Sequence, residues 1–308
     1  MSAEEVADTM LCCASCGIKE VDDIKLKRCN ACKLVRYCSV KCQREHRPKH
    51  KKECKKRVAE LRDEILFKQP ESNFLGDCPI CCLPLPIDPR KSTLMGCCGK
   101  VVCSGCRYAN QIREFEGRLD RKCPFCRHRA PKTDEEVKMD LMKRIEANDP
   151  VAMCTMGVYR FDEGDHNTAL KYWTKAAELG DIKAHFHLAA IYNKGEGVEK
   201  DRKKGMYHLE EAAIGGHPIA RHNLGVMEGI HGRLDRAVKH FIIAATLGYD
   251  PSLDALKVDF KRGSISKEDF ATALRSHQAA VDAAKSPQRE EAEVIRQEIL
   301  AATAARQN

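Results

Sequence analysis

The chain has 308 residues, room for two or three domains, with 18 cysteines and a formal charge of +8. No apolar run reaches the roughly 20 residues of a membrane helix. The N-terminus lacks the basic start and apolar stretch of a secretory signal, so an intracellular location (cytoplasm and/or nucleus) is expected.

Thiols in a reducing compartment are more often metal ligands than disulfides. Seventeen of the cysteines precede residue 127, and only Cys154 follows, which marks a domain boundary. If fifteen of them ligate as thiolates, they subtract fifteen charges and four Zn²⁺ return eight. The net charge is then about +1, too little for a general pull on nucleic acid.

Residues 1–11 form an N-terminal tail. After it come four pairs: Cys13-x2-Cys16, Cys29-x2-Cys32, Cys38-x3-Cys42 and His50-x3-Cys54. Such spacings let two side chains reach one ion, so eight ligands make two tetrahedral sites. A segment this short buries too little surface to fold on its core alone, and metal supplies the difference. Tyr37-Cys38, Lys41-Cys42-Gln43 and Pro48-Lys49-His50-Lys51 flank the ligands. With these, residues 12–54 resemble a MYND-type zinc finger. Cys12 competes with Cys13, but only Cys13 has the x2 spacing to Cys16. The resemblance implies interleaved ligands, with Cys13, Cys16, Cys38 and Cys42 on one ion and Cys29, Cys32, His50 and Cys54 on the other. It also implies docking of partner peptides. Arg47 stands where many members carry Trp.

Residues 55–77 form a connector. Val58, Leu61, Ile65 and Leu66 recur at helical spacing, predicting one amphipathic helix that Gln69-Pro70 ends and that either docks one zinc module on the next or serves as a free spacer.

A second cluster spans residues 78–127: Cys78-x2-Cys81, Cys97-Cys98, Cys103-x2-Cys106 and Cys123-x2-Cys126. Cys78-Pro79-Ile80-Cys81 and Cys123-Pro124-Phe125-Cys126-Arg127 make it resemble a RING-type zinc finger of the all-Cys variant. The implied sites are Cys78, Cys81, Cys103 and Cys106, and Cys97, Cys98, Cys123 and Cys126. Gly96 and Gly99 flank the adjacent pair and permit a sharp turn. Lys100 stands where His is common. The left-over Cys82 is expected to pack as a small apolar group. The resemblance also implies a ubiquitin ligase with no covalent catalytic residue. Ile80 and Pro124 would touch the conjugating enzyme and Arg127 would bridge it to ubiquitin. Asn110 departs from the aromatic or aliphatic residue often found four places after Cys106.

Residues 128–148 read as a linker and capping helix. Thr133-Asp-Glu-Glu136 is a capping box, Val137, Leu141 and Ile145 the apolar stripe, and Asn148 the end. Then Ala176-Ala177-x-x-Gly180 recurs at Ala212 to Gly216 and at Ala244 to Gly248, in steps of 36 and 32 residues. That is a helix-pair period, and such units must stack to bury their apolar faces. With Gly195-x-Gly197-Val198, Asp201 and Lys203, residues 149–281 resemble Sel1-like repeats, relatives of TPR. Residues 251–281 are a degenerate closing pair capped by Ser266. Tyr172, Trp173, Phe186 and Tyr192 are packing residues, Cys154 is buried, and His185 and His187 point apart. Residues 282–308 are a C-terminal helix opening at Ser286-Pro287, which either seals the repeats or frays.

The fold class is therefore mainly α: two small cross-brace zinc modules, MYND-like and RING-like, and an α-helical Sel1/TPR-like solenoid. The expected function is a RING-type E3 ubiquitin-protein ligase holding four Zn²⁺. Its partners would be a ubiquitin-conjugating enzyme and protein substrates, the latter docking through the MYND finger and the repeats. The alternative is a non-enzymatic adaptor, and a transcriptional regulator ranks below both.

Overall fold

A computed structural model describes residues 12–307, so the expected tail over residues 1–11 lies outside the described residues. The chain divides into two compact units at Lys68.

The first unit is a short antiparallel hairpin, β1 (Lys27–Arg28) and β2 (Arg36–Tyr37), followed by a long helix, α1 (Val40–Leu66). Ser39 starts α1, its hydroxyl accepting from the Cys42 amide at 3.2 Å. The expected connector helix is not a separate element. It continues the helix that already carries His50 and Cys54, because no breaker stands between Cys54 and Leu66. Its stripe is only partly covered: Leu66 is buried, while Val58 and Ile65 are exposed.

The second unit opens with a loop over residues 69–91. A hairpin of β3 (Ser92–Leu94) and β4 (Val101–Cys103) leads into α2 (Ser104–Glu116). The hairpin carries Cys97 and Cys98 at its tip and Cys103 at its base. Helix α3 (Asp134–Glu146) is capped by Thr133, whose hydroxyl accepts from the Glu136 amide at 3.2 Å. The carboxylate of Glu136 accepts from the Lys132 amide rather than that of Thr133, so the expected capping box closes one residue early.

Eight helices follow as four antiparallel pairs. They are α4 (Pro150–Asp162) with α5 (His166–Glu178), α6 (Ile182–Lys194) with α7 (Arg202–Ile214), α8 (Pro218–Ile230) with α9 (Leu234–Thr246), and α10 (Asp250–Lys261) with α11 (Lys267–Ala283). The repeated Ala-Ala-x-x-Gly sets the pitch. The alanines 176, 212, 213, 244 and 245 are fully buried where helices touch. Gly180, Gly216 and Gly248 take φ of 89°, 85° and 90°, which other residues resist. The amide after each glycine, in Asp181, His217 and Tyr249, then reaches the carbonyl of the first alanine at 2.9, 3.0 and 3.1 Å. Asp181 and His217 also cap the next helix, so one residue closes one element and opens another.

The expected C-terminal helix, α12 (Pro287–Gln307), follows directly on α11. It packs on α2 beside the second cysteine cluster.

His217 shows how the loop over 69–77 is anchored. Its ring stacks between Phe74 at 4.5 Å and Phe186 at 4.3 Å, and the Phe74 amide donates to the Gly216 carbonyl. Its Nδ1 accepts from the Ala220 amide at 3.3 Å, which requires the unprotonated ring. Burial, with His187 and Lys183 nearby, holds the imidazole down at about 3. Below the ordinary value the unfolded chain takes a proton that the folded chain refuses. Stability is thus full above pH ~6.5 and declines on acidification, by about 2–3 kcal/mol near pH ~4.5. His217→Asn keeps a capping acceptor but cannot titrate there. Its urea midpoint is expected to fall less steeply between pH ~7 and ~4.5 than that of the wild type. Parallel slopes would refute the assignment.

Candidate metal centres

Four groups of ligand atoms come together, each with all members within 4.8 Å of one another. They are Cys13, Cys16, Cys38 and Cys42; Cys29, Cys32, His50 and Cys54; Cys78, Cys81, Cys103 and Cys106; and Cys97, Cys98, Cys123 and Cys126. In both clusters the first pair joins the third and the second joins the fourth, so each module is cross-braced.

In the first unit, β2 delivers Cys38 and α1 delivers the rest of the C-terminal ligands. Cys42 lies on its first turn, and His50 and Cys54 are four apart on one face. His50 Nε2 lies 3.2 Å from Cys32 Sγ and so faces the thiols. In the second unit Cys103 caps α2, with the Cys106 amide donating to its sulfur at 3.4 Å.

The cys-x2-cys knuckles share a turn. The residue after the second cysteine is left-handed in all four cases where a loop follows: Gly17, Lys33, Cys82 and Arg127, with φ of 76°, 59°, 56° and 63°. Each donates its amide to the carbonyl of the first cysteine, at 2.8–3.0 Å. This overturns the expected packing of Cys82. The left-handed turn sends its side chain outward, and it is exposed.

The donor set fits zinc. A Zn–S bond of about 2.3 Å puts sulfurs of a tetrahedral site roughly 3.8 Å apart. The sulfurs of Cys16 and Cys38 stand 3.6 Å apart, Cys38 and Cys42 3.5 Å, Cys29 and Cys54 3.9 Å, Cys81 and Cys103 3.8 Å, Cys97 and Cys126 3.4 Å, and Cys98 and Cys123 3.9 Å. These are non-bonded distances, far from the ~2.05 Å of a disulfide. Proton sharing points the same way. Burial opposes ionisation of Cys13, but amides of Cys16, Cys38 and Ser15 donate to its sulfur and bring it down to about 6. Its neighbour Cys38 is pushed up to about 12 by hydrogen bonds with Cys42 and Cys16 that favour the protonated form. Packed thiols cannot all ionise unaided, and a divalent cation removes the conflict. The four clusters are compatible with four zinc ions.

The residues expected to meet a conjugating enzyme lie on the second module. Ile80 is exposed at the first knuckle, Pro124 is half-buried and Phe125 is exposed at the last. The left-handed backbone of Arg127 aims its guanidinium at α2, where it donates to Asn110 Oδ1 at 3.2 Å. Arg144 of α3 was not singled out by its sequence context. Its guanidinium donates to the Gly96 carbonyl at 2.8 Å and to Asp149 Oδ2 at 2.7 Å, tying the Cys97–Cys98 turn to the cap of the first repeat.

Comparison with known proteins divides the chain along the same lines. Residues 13–54 match the family model of the MYND finger. Residues 150–181, 182–217 and 218–249 each match that of the Sel1 repeat. Residues 55–149 lie outside these matches. The mouse "DAP3-binding cell death enhancer 1" is 22% identical over 196 residues, 51% of this chain and 38% of that protein. Human "Histone-lysine N-methyltransferase SMYD3" is 55% identical over 31 residues, 10% of this chain and 7% of that protein. "Putative beta-lactamase HcpC" of Helicobacter pylori is 38% identical over 56 residues, 18% of this chain and 19% of that protein. The chain thus spans well under two thirds of these relatives. Among solved structures, a Sel1 repeat protein from Oxalobacter formigenes aligns with a TM-score of 0.43 at 23% identity, over 56% of this chain and 52% of that one. MYND fingers and Sel1 repeats are protein-interaction modules. Among the described residues no helix is long and apolar enough to cross a membrane.

Proposed function

We propose that this chain is a zinc-braced docking scaffold whose second module works as a RING-type ubiquitin ligase. The observation that supports this most is the cross-brace of residues 78–126 with Ile80 left 42% exposed between its first two ligands. A large aliphatic side chain left partly in water there suits a conjugating-enzyme contact. The proposed chemistry needs no nucleophile. A charged conjugating enzyme is held so that its thioester is pre-oriented for attack by a substrate lysine, which is a positioning effect. Zinc keeps both knuckles rigid, Ile80 and Pro124 supply apolar contact, and the Arg127 fork supplies donors to two partners at once. The MYND finger and the repeats select the target.

One observation favours the second reading, an adaptor without transfer. Asn110 puts a polar group on α2 and holds the Arg127 guanidinium. The two readings part in a reconstituted assay with activating enzyme, a broad panel of conjugating enzymes and zinc-loaded protein. Ligase function predicts autoubiquitination that Ile80→Ala weakens by roughly tenfold or more, as truncating an interface anchor does. Arg127→Ala is expected to reduce it, and Asn110→Leu, which releases Arg127, to raise it. No ubiquitin chains with any enzyme of the panel, in the wild type and in Asn110→Leu, would leave the adaptor.

A further inference from the structure

Helix α12, which packs on α2, also reaches the zinc knuckle itself through a side chain. Arg289 stands in its first turn, its own amide donating to the Ser286 carbonyl at 2.9 Å. The side chain is only 6% exposed. Its Nη1 donates to the carbonyls of Pro84 and Ala284, both at 2.7 Å. Its Nη2 donates to the Leu83 carbonyl at 3.1 Å and to Cys81 Sγ at 3.3 Å. The Leu83 carbonyl also receives the Cys78 amide at 2.9 Å, so the fork grips the loop that shapes the first knuckle.

A buried guanidinium is costly unless a counter-charge accompanies it. Among the described residues no carboxylate forms an ion pair with Arg289. Four thiolates around one divalent cation carry a net charge of about −2, and these sulfurs are the anion it meets. A second observation is independent of the side chain. Gly105 lies between Ser104 and the ligand Cys106, and a Cβ there would stand 2.9 Å from the Arg289 backbone nitrogen and 2.9 Å from the Gln288 carbonyl carbon. The start of α12 is therefore seated backbone-to-backbone on the start of α2.

We infer that Arg289 is an outer-sphere positioning residue for the Cys78, Cys81, Cys103 and Cys106 zinc site, and that α12 is an integral part of the second zinc module. The hydrogen bond to Cys81 spreads thiolate charge onto the guanidinium, which disfavours proton attack and ligand loss at that sulfur. The three carbonyl bonds fix the fork in place. The inference rests on zinc occupancy of this cluster and is independent of ubiquitin transfer.

The test uses the full chain, loaded with four zinc ions and challenged with a chromogenic chelator. Arg289→Ala is expected to release one of the four ions about 10–100-fold faster than the wild type, the scale on which outer-shell partners act. Arg289→Lys keeps charge and reach but not the fork, and should fall between. Gly105→Ala leaves the guanidinium intact while unseating the helix, and should loosen the same ion. In the Co²⁺-loaded protein, loss of the N–H···S bond raises the thiolate donor orbital. The sulfur-to-cobalt band of Arg289→Ala and Arg289→Lys should then move to longer wavelength. Wild-type release rates in Arg289→Lys and Gly105→Ala, with an unshifted cobalt band, overturn the inference. So does equal acceleration at all four sites. A wild-type protein that cannot hold four ions would instead remove the zinc assignment beneath it.

Discussion

Stripping metal from the intact chain is expected to release four equivalents of zinc and to unfold residues 13–54, while the repeat helices persist. The buried hydrophobic cluster of the finger is Cys13, Leu26, Cys29, Cys32, Tyr37 and Cys42. Only Leu26 and Tyr37 in it are not ligands, and two such side chains contribute about 3–6 kcal/mol on burial. Ordering each residue of backbone costs about 1–2 kcal/mol, so this finger is far from self-supporting. A structural zinc ion contributes about 10–16 kcal/mol, more than those two side chains together, so the finger's fold depends on its two metal sites. Zinc counted by atomic emission, with proteolysis of the stripped chain, checks this. Cys32→Ser should cost one ion and expose the finger to protease. Protection of residues 13–54 after chelation would sink the metal reading.

Trp173→Ala is expected to cost about 3–5 kcal/mol, the range for deleting a large buried aromatic. The indole is 3% exposed in the core of the first two repeats, stacked on His187 at 4.8 Å and tilted against Phe161 at 5.5 Å. Its Nε1 donates to the Cys154 carbonyl at 3.2 Å, a bond that lies between helices α4 and α5. Truncation empties the space and leaves that carbonyl without its donor. Trp173→Phe should retain much of the packing and cost distinctly less. Because repeats are stabilised by their neighbours, the loss is expected to appear as an early transition of α4 to α7 in hydrogen exchange. A uniform shift of all eight repeat helices, or a change under ~1 kcal/mol, would contradict this account.

The repeat domain was legible because its signals are local. The Ala-Ala-x-x-Gly period maps directly onto buried alanines and left-handed glycines, and the helix pairs fall where the period puts them. The metal-ligand sets were legible as pairs, since cysteine spacing is itself the constraint. What stayed hidden acts across long sequence distances. Arg289 meets Cys81 from 208 positions away, and Arg144 meets Gly96 from 48. Neither arginine differs in its local context from the many surface arginines of a chain this charged. Cys82 was misjudged for a different reason. Its type suggested a core, whereas the knuckle geometry, decided by the residues before it, turned it to solvent. The one continuous helix over Val40–Leu66 was missed because the ligands His50 and Cys54 drew a boundary that the backbone does not observe.

The connections that carry Asp181 and His217 are of constant length in this solenoid. Each connection from one helix pair to the next has three residues, 179–181, 215–217 and 247–249, and all are used. An insertion there would uncap one helix and unseat the following one together. The turns inside a pair use the same device, since Asp165 and Asp201 close one helix through the amide and cap the next, yet their lengths differ: 163–165 and 231–233 have three residues, 262–266 has five and 195–201 has seven. Those four additional residues account for the whole difference between the 36-residue repeat at 182–217 and the 32-residue repeats on either side. The length differences thus fall in the turns on one rim of the stack, while the three connections on the opposite rim keep one length and hold the register between pairs.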